Sequence, residues 1–597
     1  MTWRDLSTRR VFLICLLVLL PLSFSNSDNP FRTTPVADAM RYDSWATEMA
    51  GDGLGTQGVF HQAPLYPVLL SMLYRVAEEA SRPGLVVGLQ LLLLAAAITC
   101  LRPLGRQLFD DDRVGLVAVG LALLYGPFAF HGLKLLPVTL ALGTQVALLS
   151  LLLRAGLQPT WMRLGLAGLA AGVAAITRVE ALLLLILVLA TLVLLRPRRL
   201  SLGQAGIVLI TTLLVIAPIT YHNVSNGDRV LIASSSGENL FIGNQRGADG
   251  GHTPLDTQAG DIESQRILAR RIAEQSRGRA LLSSEVSRYW ATRAVDEIRE
   301  APAAWLGIEA RKLRRALVDA DPTDLYSLRV ERRRYLGWLY LFVVPTSVLV
   351  VGAIYGGVCL LRRRGFGQAM PIVAMILGHL CVLLTFFVST RLRLPMLFFL
   401  CPLAAYAVVG AIDDRREPGS RRRGTIVLLV GALLVLASPF AGQVTERETL
   451  RLASVLSRQD RLDESLDVLS PLVASAEAGE AVFDQACWVA FKQEDWRTAG
   501  EHCREALKRG IDGNRACAVR TRLGWIDERL GALEQAGRWH DEAVAEGCPT
   551  QALMERALYR ARRGDRRGAV ADLRTVLTRE PGSRVARQWL ERLGGGN

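Results

Sequence analysis

Long apolar runs alternate with short basic loops over the first two-thirds of the chain, and helical periodicity with charged faces replaces them after residue 441. Spanning a hydrocarbon layer takes ~20 mostly apolar residues per helix. Candidate spans on that criterion fall at about 10–25, 84–101, 114–130, 135–153, 162–176, 179–195, 204–220, 336–361, 369–389, 394–412 and 424–441. The first has the basic start and apolar centre of a signal peptide. Ten further runs follow it, so it reads as an uncleaved helix. Half of the 597 residues are hydrophobic, in keeping with a polytopic membrane protein.

The loop charges predict an orientation. Arg4, Arg9 and Arg10 precede the first span; Arg102, Arg106 and Arg113 separate the second from the third; Arg154 and Arg163 separate the fourth from the fifth. Arg196, Arg198 and Arg199 follow the sixth, Arg362, Arg363 and Arg364 the eighth, and "DDRREPGSRRR" the tenth. With eleven spans all fall on one side, which the positive-inside rule makes cytoplasmic. Residues 25–83, the turn 131–134, the segment 221–335 and everything after ~441 then face outward, as expected for a multi-pass protein of the inner cell membrane. The net charge of +14 is therefore largely topological, and no nucleic-acid partner is called for.

The tail, 442–597, reads as a helical array. "ALYRARRGDRRGAVADLRTVLTREPGS" places Gly564, Ala569, Leu573 and Pro581 at small, small, large and breaker positions. "LGWIDERLGALEQAGRWHDEAV" repeats the pattern with Gly524, Gly531, Ala536 and Ala543, and a weaker copy runs through Trp488, Ala499, Cys503 and Ala506. Small residues let paired helices approach closely, and stacked pairs bury a shared core. The pattern resembles the tetratricopeptide family, which implies a surface for proteins or peptides, although such stacks also serve structure alone. Cys487, Cys503, Cys517 and Cys548 lie in this region, either as disulfides in an oxidising compartment or as buried thiols. No Cys-x-x-Cys occurs in the chain.

The polar stretch "PVADAMRYDSWATEMAGDGLGTQGVFHQAPLYP", 35–67, follows the first span. Asp38 opens a helical pattern that stops at Gly51-Asp52-Gly53. Asp38 is either a helix N-cap or a carboxylate held at the membrane surface for chemistry. "DAMRYDSWA" resembles the Asp-x-x-x-Tyr-x-x-x-Ala start of the first outer loop in membrane glycosyltransferases of the GT-C class. These include glycosyltransferase family 39, with the lipid A aminoarabinose transferases and relatives of the protein O-mannosyltransferases. "HQAPLYPVLLSMLY" looks like the segment closing that loop. "SGENLFIGNQRGADG" (236–250) is similar to a Gly-x-Asn-Leu-Tyr-Ile-Gly-Asn loop, and "STRLRLPMLFF" to a late Arg-x-Arg-x-Pro motif. The resemblance covers roughly residues 10–412.

It implies a GT-C fold: an all-α polytopic domain, 1–441, with about eleven transmembrane helices and an extracytoplasmic loop region of α+β type, followed by the α-solenoid. It also implies transfer of a sugar from a polyprenyl-phosphate carrier to an acceptor hydroxyl on protein, lipid or glycan. Phosphate is a stable leaving group, so one carboxylate suffices, as general base, with inversion at the anomeric carbon. Asp38 takes that role. Arg391, Arg393, Arg178 and Lys134, at predicted outer rims, are candidates for the donor phosphate. His131 lies in the same turn as Lys134, and Glu180 is placed to pair with Arg178. Tyr42, Tyr66, His61, Asn239 and Asn244 are candidates for substrate contact, with Trp45 a further ring for a sugar. Gly237, Asn239, Gly243 and Asn244 read as a loop over the site.

One departure stands out. Many members of the class it resembles carry a second acid in the turn before the fourth span, where this chain has His131, Lys134, Pro137, Val138 and Thr139. No cofactor is called for, and a divalent ion would lack that second carboxylate. "HNVSNG" forms a glycosylation sequon at Asn223. Two other readings compete: a non-catalytic scaffold whose repeats organise an envelope complex, favoured by the missing acid, and a transporter of lipid-linked sugars. A transporter should place ionisable residues within its spans, whereas here they cluster at the ends.

Overall fold

Apolar runs in the first 414 residues fold as helices, and small residues set how closely they pack. The computed structural model of the chain describes residues 7–53, 58–195, 200–255, 262–318, 325–414, 444–546, 548 and 550–594. Two compact units emerge, Met1–Gly442 and Gln443–Asn597. The last predicted span, 424–441, and the arginines at 196–199 lie outside the described residues.

In the first unit α1 is Thr8–Leu19, α2 Asp38–Asp52, α3 Leu65–Tyr74 and α4 Arg82–Phe109. Next come α5 Asp112–Leu123, α6 Gly126–Gly132, α7 Val138–Leu157, α8 Trp161–Thr177, α9 Ala181–Leu194 and α10 Leu202–Ser225. The segment predicted to lie outside carries α11 Ser236–Asn244, α12 Ile262–Arg277, α13 Ser283–Glu300, α14 Pro302–Leu317 and α15 Leu328–Arg334. Three long helices close the unit, α16 Thr346–Arg364, α17 Phe366–Thr385 and α18 Thr390–Asp414.

The eleven expected spans are not all found among the described residues. Six helical segments among the described residues are long and apolar enough to cross a membrane, seven if α5 and α6, bent by 60° at their junction, count as one. α3, α8 and α9 are apolar but shorter, at 10–17 residues, below the ~20 that a straight crossing needs. The first predicted span breaks after Leu19, where Pro21 starts a separate short turn. Leu209, Ile210, Leu213 and Leu214 on α10 and Ile186 on α9 are exposed, an apolar face suited to lipid.

Two Gly-x-x-x-Gly pairs explain the tightest crossings. A Cβ at Gly168 or Gly172 of α8 would meet Thr211 Oγ1 at 1.8 Å or Val215 Cβ at 2.4 Å on α10. One at Gly352 or Gly356 of α16 would meet Ala404 Cβ at 3.0 Å or Leu403 O at 1.9 Å on α18. Small residues at this spacing let backbones approach where lipid supplies no hydrophobic drive.

The expected α+β loop region is built of helices joined by turns: no strand occurs among the described residues. Its amphipathic pattern has a period of 3.6 rather than 2, which favours helices packed by one apolar face. Phe241 of α11, Ala269 and Ala273 of α12, and Val286, Trp290 and Ala294 of α13 form its core. The 236–250 stretch is likewise not an open loop: Ser236–Asn244 is helical. Its glycines admit neighbours. A Cβ at Gly237 would lie 1.7 Å from Ser287 O, and one at Gly243 1.7 Å from Phe386 O. Gly243→Ala should therefore cost about 1–3 kcal/mol by overpacking. It should lower the thermal midpoint of the detergent-solubilised protein. Gly206→Ala, with nothing within 4 Å of the added Cβ, should leave the midpoint unchanged or raise it.

The sequon at Asn223 is closed to modification. Asn223 is fully buried, its Nδ2 donating to Val230 O (3.0 Å) and Ile232 O (3.1 Å) while Oδ1 accepts from Phe60 N (3.0 Å). It ties the first loop to the strandless segment after α10.

The second unit is a run of helical hairpins. It holds α19 Glu446–Arg458, α20 Leu462–Val473, α21 Glu480–Lys492, α22 Trp496–Lys508, α23 Gly513–Arg529, α24 Leu533–Ala545, α25 Thr550–Arg562, α26 Arg566–Arg579 and α27 Arg584–Arg592. Each helix packs on the next. Asp460, Glu494, Gly531 and Gly564 turn four of the hairpins, all at positive φ and near-regular intervals. Gly524 sits where a Cβ would strike the His540 ring at 2.5 Å. Ala499, Cys503, Ala506, Ala536, Ala543 and Ala569 are fully buried. Of the two states open to the cysteines, the structure has disulfides: Cys487–Cys503 joins α21 to α22, and Cys517–Cys548 joins α23 to the end of α24.

Candidate functional site

Asp38 is the first residue of α2, not its N-cap; Ala37 holds that place with φ 50° and ψ −119° and no side-chain capping bond. That conformation is uncommon for a residue with a Cβ. The carboxylate is turned away from capping its own helix. It is buried, and both of its oxygens are engaged. Gln62 Nε2 donates to Oδ1 at 3.2 Å, and Arg391 Nη1 binds Oδ2 in an ion pair. Arg391 comes from the start of α18, 353 residues away in sequence. Gln62 Oε1 is buried with no hydrogen-bond partner among the described residues, an acceptor left over inside the site.

Tyr42 lies one turn along α2. Burial, reinforced by the charge of Asp38, raises its hydroxyl above the ordinary tyrosine range, and Arg391, Arg178 and Glu180 also act on it through space. Arg178, which follows α8, forms an ion pair with Glu180. Asp38, Arg391 and Tyr42 thus stand together at the head of α2, with the Arg178–Glu180 pair near enough for its charges to act on the phenol.

The Tyr42 ring meets Tyr66 edge-on at 5.3 Å. Tyr66 donates its hydroxyl proton to Gln90 Oε1 (2.6 Å), and Gln90 Nε2 donates to the carbonyls of Gly132 (3.0 Å) and Lys134 (2.7 Å). Tyr66 thus serves to brace Tyr42. Gln90 was not singled out in the sequence. A lone glutamine within an apolar span is the signal that could have found it.

His61 faces Glu238, Nε2 to Oε2 3.5 Å. Burial, aided by Arg266 and Arg41, pushes His61 down to about 4. Burial pushes Glu238 up to about 8. Both shifts favour the uncharged forms of the pair. Beside them Glu263 bridges Arg41 (3.3 Å) and Arg266, and the Arg41 guanidinium lies 4.7 Å over the Trp45 ring. Trp45 is buried against Phe60, not presented to solvent.

Lys134, Arg393 and Asn244 take partners other than Asp38. Lys134 is 1% exposed and ion-paired with Glu331, which is fully buried and also accepts from Asn29 Nδ2 at 2.5 Å. Rings of Phe31, Phe130 and Tyr326 enclose the ammonium at 4.7–5.4 Å. Neighbouring His131 is buried. Arg393 is buried too, donating to Arg315 O (3.1 Å) and Val318 O (2.6 Å) at the C-terminal end of α14, where a cation suits the helix dipole.

Asn244 is saturated. Its Nδ2 donates to Leu240 O and Thr385 O, both at 2.8 Å, and its Oδ1 accepts from Trp305 Nε1 (3.0 Å) and Lys312 Nζ (2.8 Å). It pins α11 to α14 and to the end of α17. Asn239 is half-buried on α11. No group of three or more His, Cys, Asp or Glu side chains able to hold a metal ion occurs among the described residues.

No family model matches the chain, and no curated protein matches it. Solved structures do. The archaeal oligosaccharyltransferase AglB from Archaeoglobus fulgidus, solved with an inhibitory peptide and a dolichol-phosphate, is similar with a TM-score of 0.43 at 12% identity, over 84% of this chain. The chain spans 60% of AglB's length. ArnT from Cupriavidus metallidurans, solved bound to undecaprenyl phosphate, is similar with a TM-score of 0.29 at 16% identity, over 77% of this chain and 90% of ArnT.

Proposed function

We propose that this chain is an integral membrane glycosyltransferase that moves a sugar from a polyprenyl-phosphate donor to an acceptor hydroxyl, with Asp38 as general base. The observation that carries the reading is the meeting of Asp38 with Arg391. Two motifs at opposite ends of the membrane unit, each pointing to the same chemistry in the sequence, converge on one carboxylate. In the reaction the anomeric carbon's bond to phosphate oxygen breaks and a bond to the acceptor oxygen forms. The acceptor's proton passes to Asp38, and phosphate leaves as an anion. Arg391, with Arg178 nearby, meets the charge that grows on it.

The site faces outward in this proposal. The four cysteines of the second unit are all paired, whereas Cys15, Cys100, Cys359, Cys381 and Cys401 of the membrane unit are free. Disulfides persist in oxidising compartments, which supports an extracytoplasmic second unit. Its hairpins support a tetratricopeptide-like reading and a role in holding a protein or glycan acceptor.

Membranes containing the protein should transfer labelled sugar from at least one member of a panel of polyprenyl-phosphate sugars. Absence of transfer from every donor, in membranes where a control enzyme works, would favour the scaffold.

A further inference from the structure

In the structure Asp38 is not ready to act as a base. Gln62 covers one oxygen and Arg391 the other, and the side chain is 6% exposed. A carboxylate oxygen occupied by a guanidinium is a poor acceptor for an incoming proton. The other arginine near Tyr42, Arg178, is likewise held by an acid, Glu180. A phosphate entering here competes with a carboxylate for an arginine.

We infer that Arg391 exchanges partners during turnover, passing from Asp38 to the carrier phosphate as the sugar leaves, so that donor cleavage uncovers the base. The inference rests on the transferase reading. The charges balance. Before transfer the cluster holds Arg391 (+1), Asp38 (−1) and a phosphodiester (−1). Afterwards it holds Arg391 (+1), protonated Asp38 (0) and a phosphate monoester (−2). The total stays at −1, but the negative charge moves from Asp38 to phosphate. The pull on Arg391 toward phosphate therefore grows in the same step in which Asp38 gains a proton and loses its hold. Gln62, donating to Oδ1, keeps the carboxyl aimed while Arg391 moves. Release of the carrier phosphate lets Asp38 shed its proton and the ion pair re-form.

The test is binding of undecaprenyl phosphate, without sugar, to the detergent-solubilised full chain. Asp38→Asn should tighten binding at least ~10-fold, since phosphate no longer competes for Arg391, and Arg391→Gln should weaken it at least ~10-fold. In the Arg391→Gln background the gain from Asp38→Asn should shrink to less than ~3-fold, the coupling of a shared partner. Arg391→Lys, which keeps the charge, should bind more tightly than Arg391→Gln and controls for misfolding. An equal gain from Asp38→Asn in both backgrounds would mean plain repulsion between two anions and would overturn the exchange. It would leave the transferase reading intact, because that reading is judged by sugar transfer. No binding by the wild-type chain would overturn the exchange, and sugar transfer would still decide the transferase reading.

Discussion

Asp38→Asn should lower sugar transfer by ~10²- to 10⁴-fold, the range that a positioned general base contributes. Asparagine has nearly the shape of aspartate, and its Oδ1 can still accept a hydrogen bond from Gln62 or Arg391. The fold at the head of α2 should therefore survive, and thermal stability should stay close to wild type. What is lost is the capacity to take a proton. The informative measurement is initial rate at saturating donor, with thermal unfolding in parallel. Asp38→Asn with full rate would remove Asp38 as the base. Tyr42→Phe offers a contrast in the same assay. Its hydroxyl is kept protonated by burial and by the charge of Asp38, so its contribution is orientation, and its loss should cost far less than that of Asp38.

The residues of the candidate site were legible because ionisable side chains are expensive in their setting. An acid after the first apolar run and arginines at the edge of a late one stand out against lipid-compatible neighbours. Their pairing was not legible. Nothing in a spacing of 353 residues says that Arg391, rather than Arg393 two positions on, reaches Asp38. On a helix, residues two apart point to different faces. Arg393 accordingly turns to the carbonyls that end α14. The conformation of Ala37 was equally hidden, since alanine carries no local mark of positive φ.

Where the described helices depart from the expected spans, the reason is related. Apolar runs mark what is compatible with lipid, but run length does not report bends and breaks. Residues 114–130 became two helices at 60°, and a break after Leu19 ended the first. The 236–250 stretch misled in the opposite sense. Gly237 and Gly243 suggested a turn, yet each serves close approach, to Ser287 and to Phe386. A glycine required by a neighbour's backbone looks the same in sequence as one required by φ.

Lys134 separates a structural role from a ligand-binding one, and its replacement should give the largest loss of stability. Lys134→Met leaves Glu331 fully buried without its ammonium, a change of ~3–5 kcal/mol for a broken buried pair. The surroundings are already apolar, with Phe31, Phe130 and Tyr326 around the ammonium. Replacing both partners, Lys134→Met with Glu331→Leu, should therefore recover most of the stability, because a well-packed apolar pair is often no worse than a buried ion pair. The double variant also decides whether Lys134 serves the donor. Its backbone carbonyl, which receives Gln90 and through it steadies Tyr66, is untouched by the exchange. If Lys134 is structural, the double variant should bind undecaprenyl phosphate within ~3-fold of wild type, well inside the tenfold that 1.4 kcal/mol represents. A stable double variant that no longer binds the carrier phosphate would return Lys134 to the donor site.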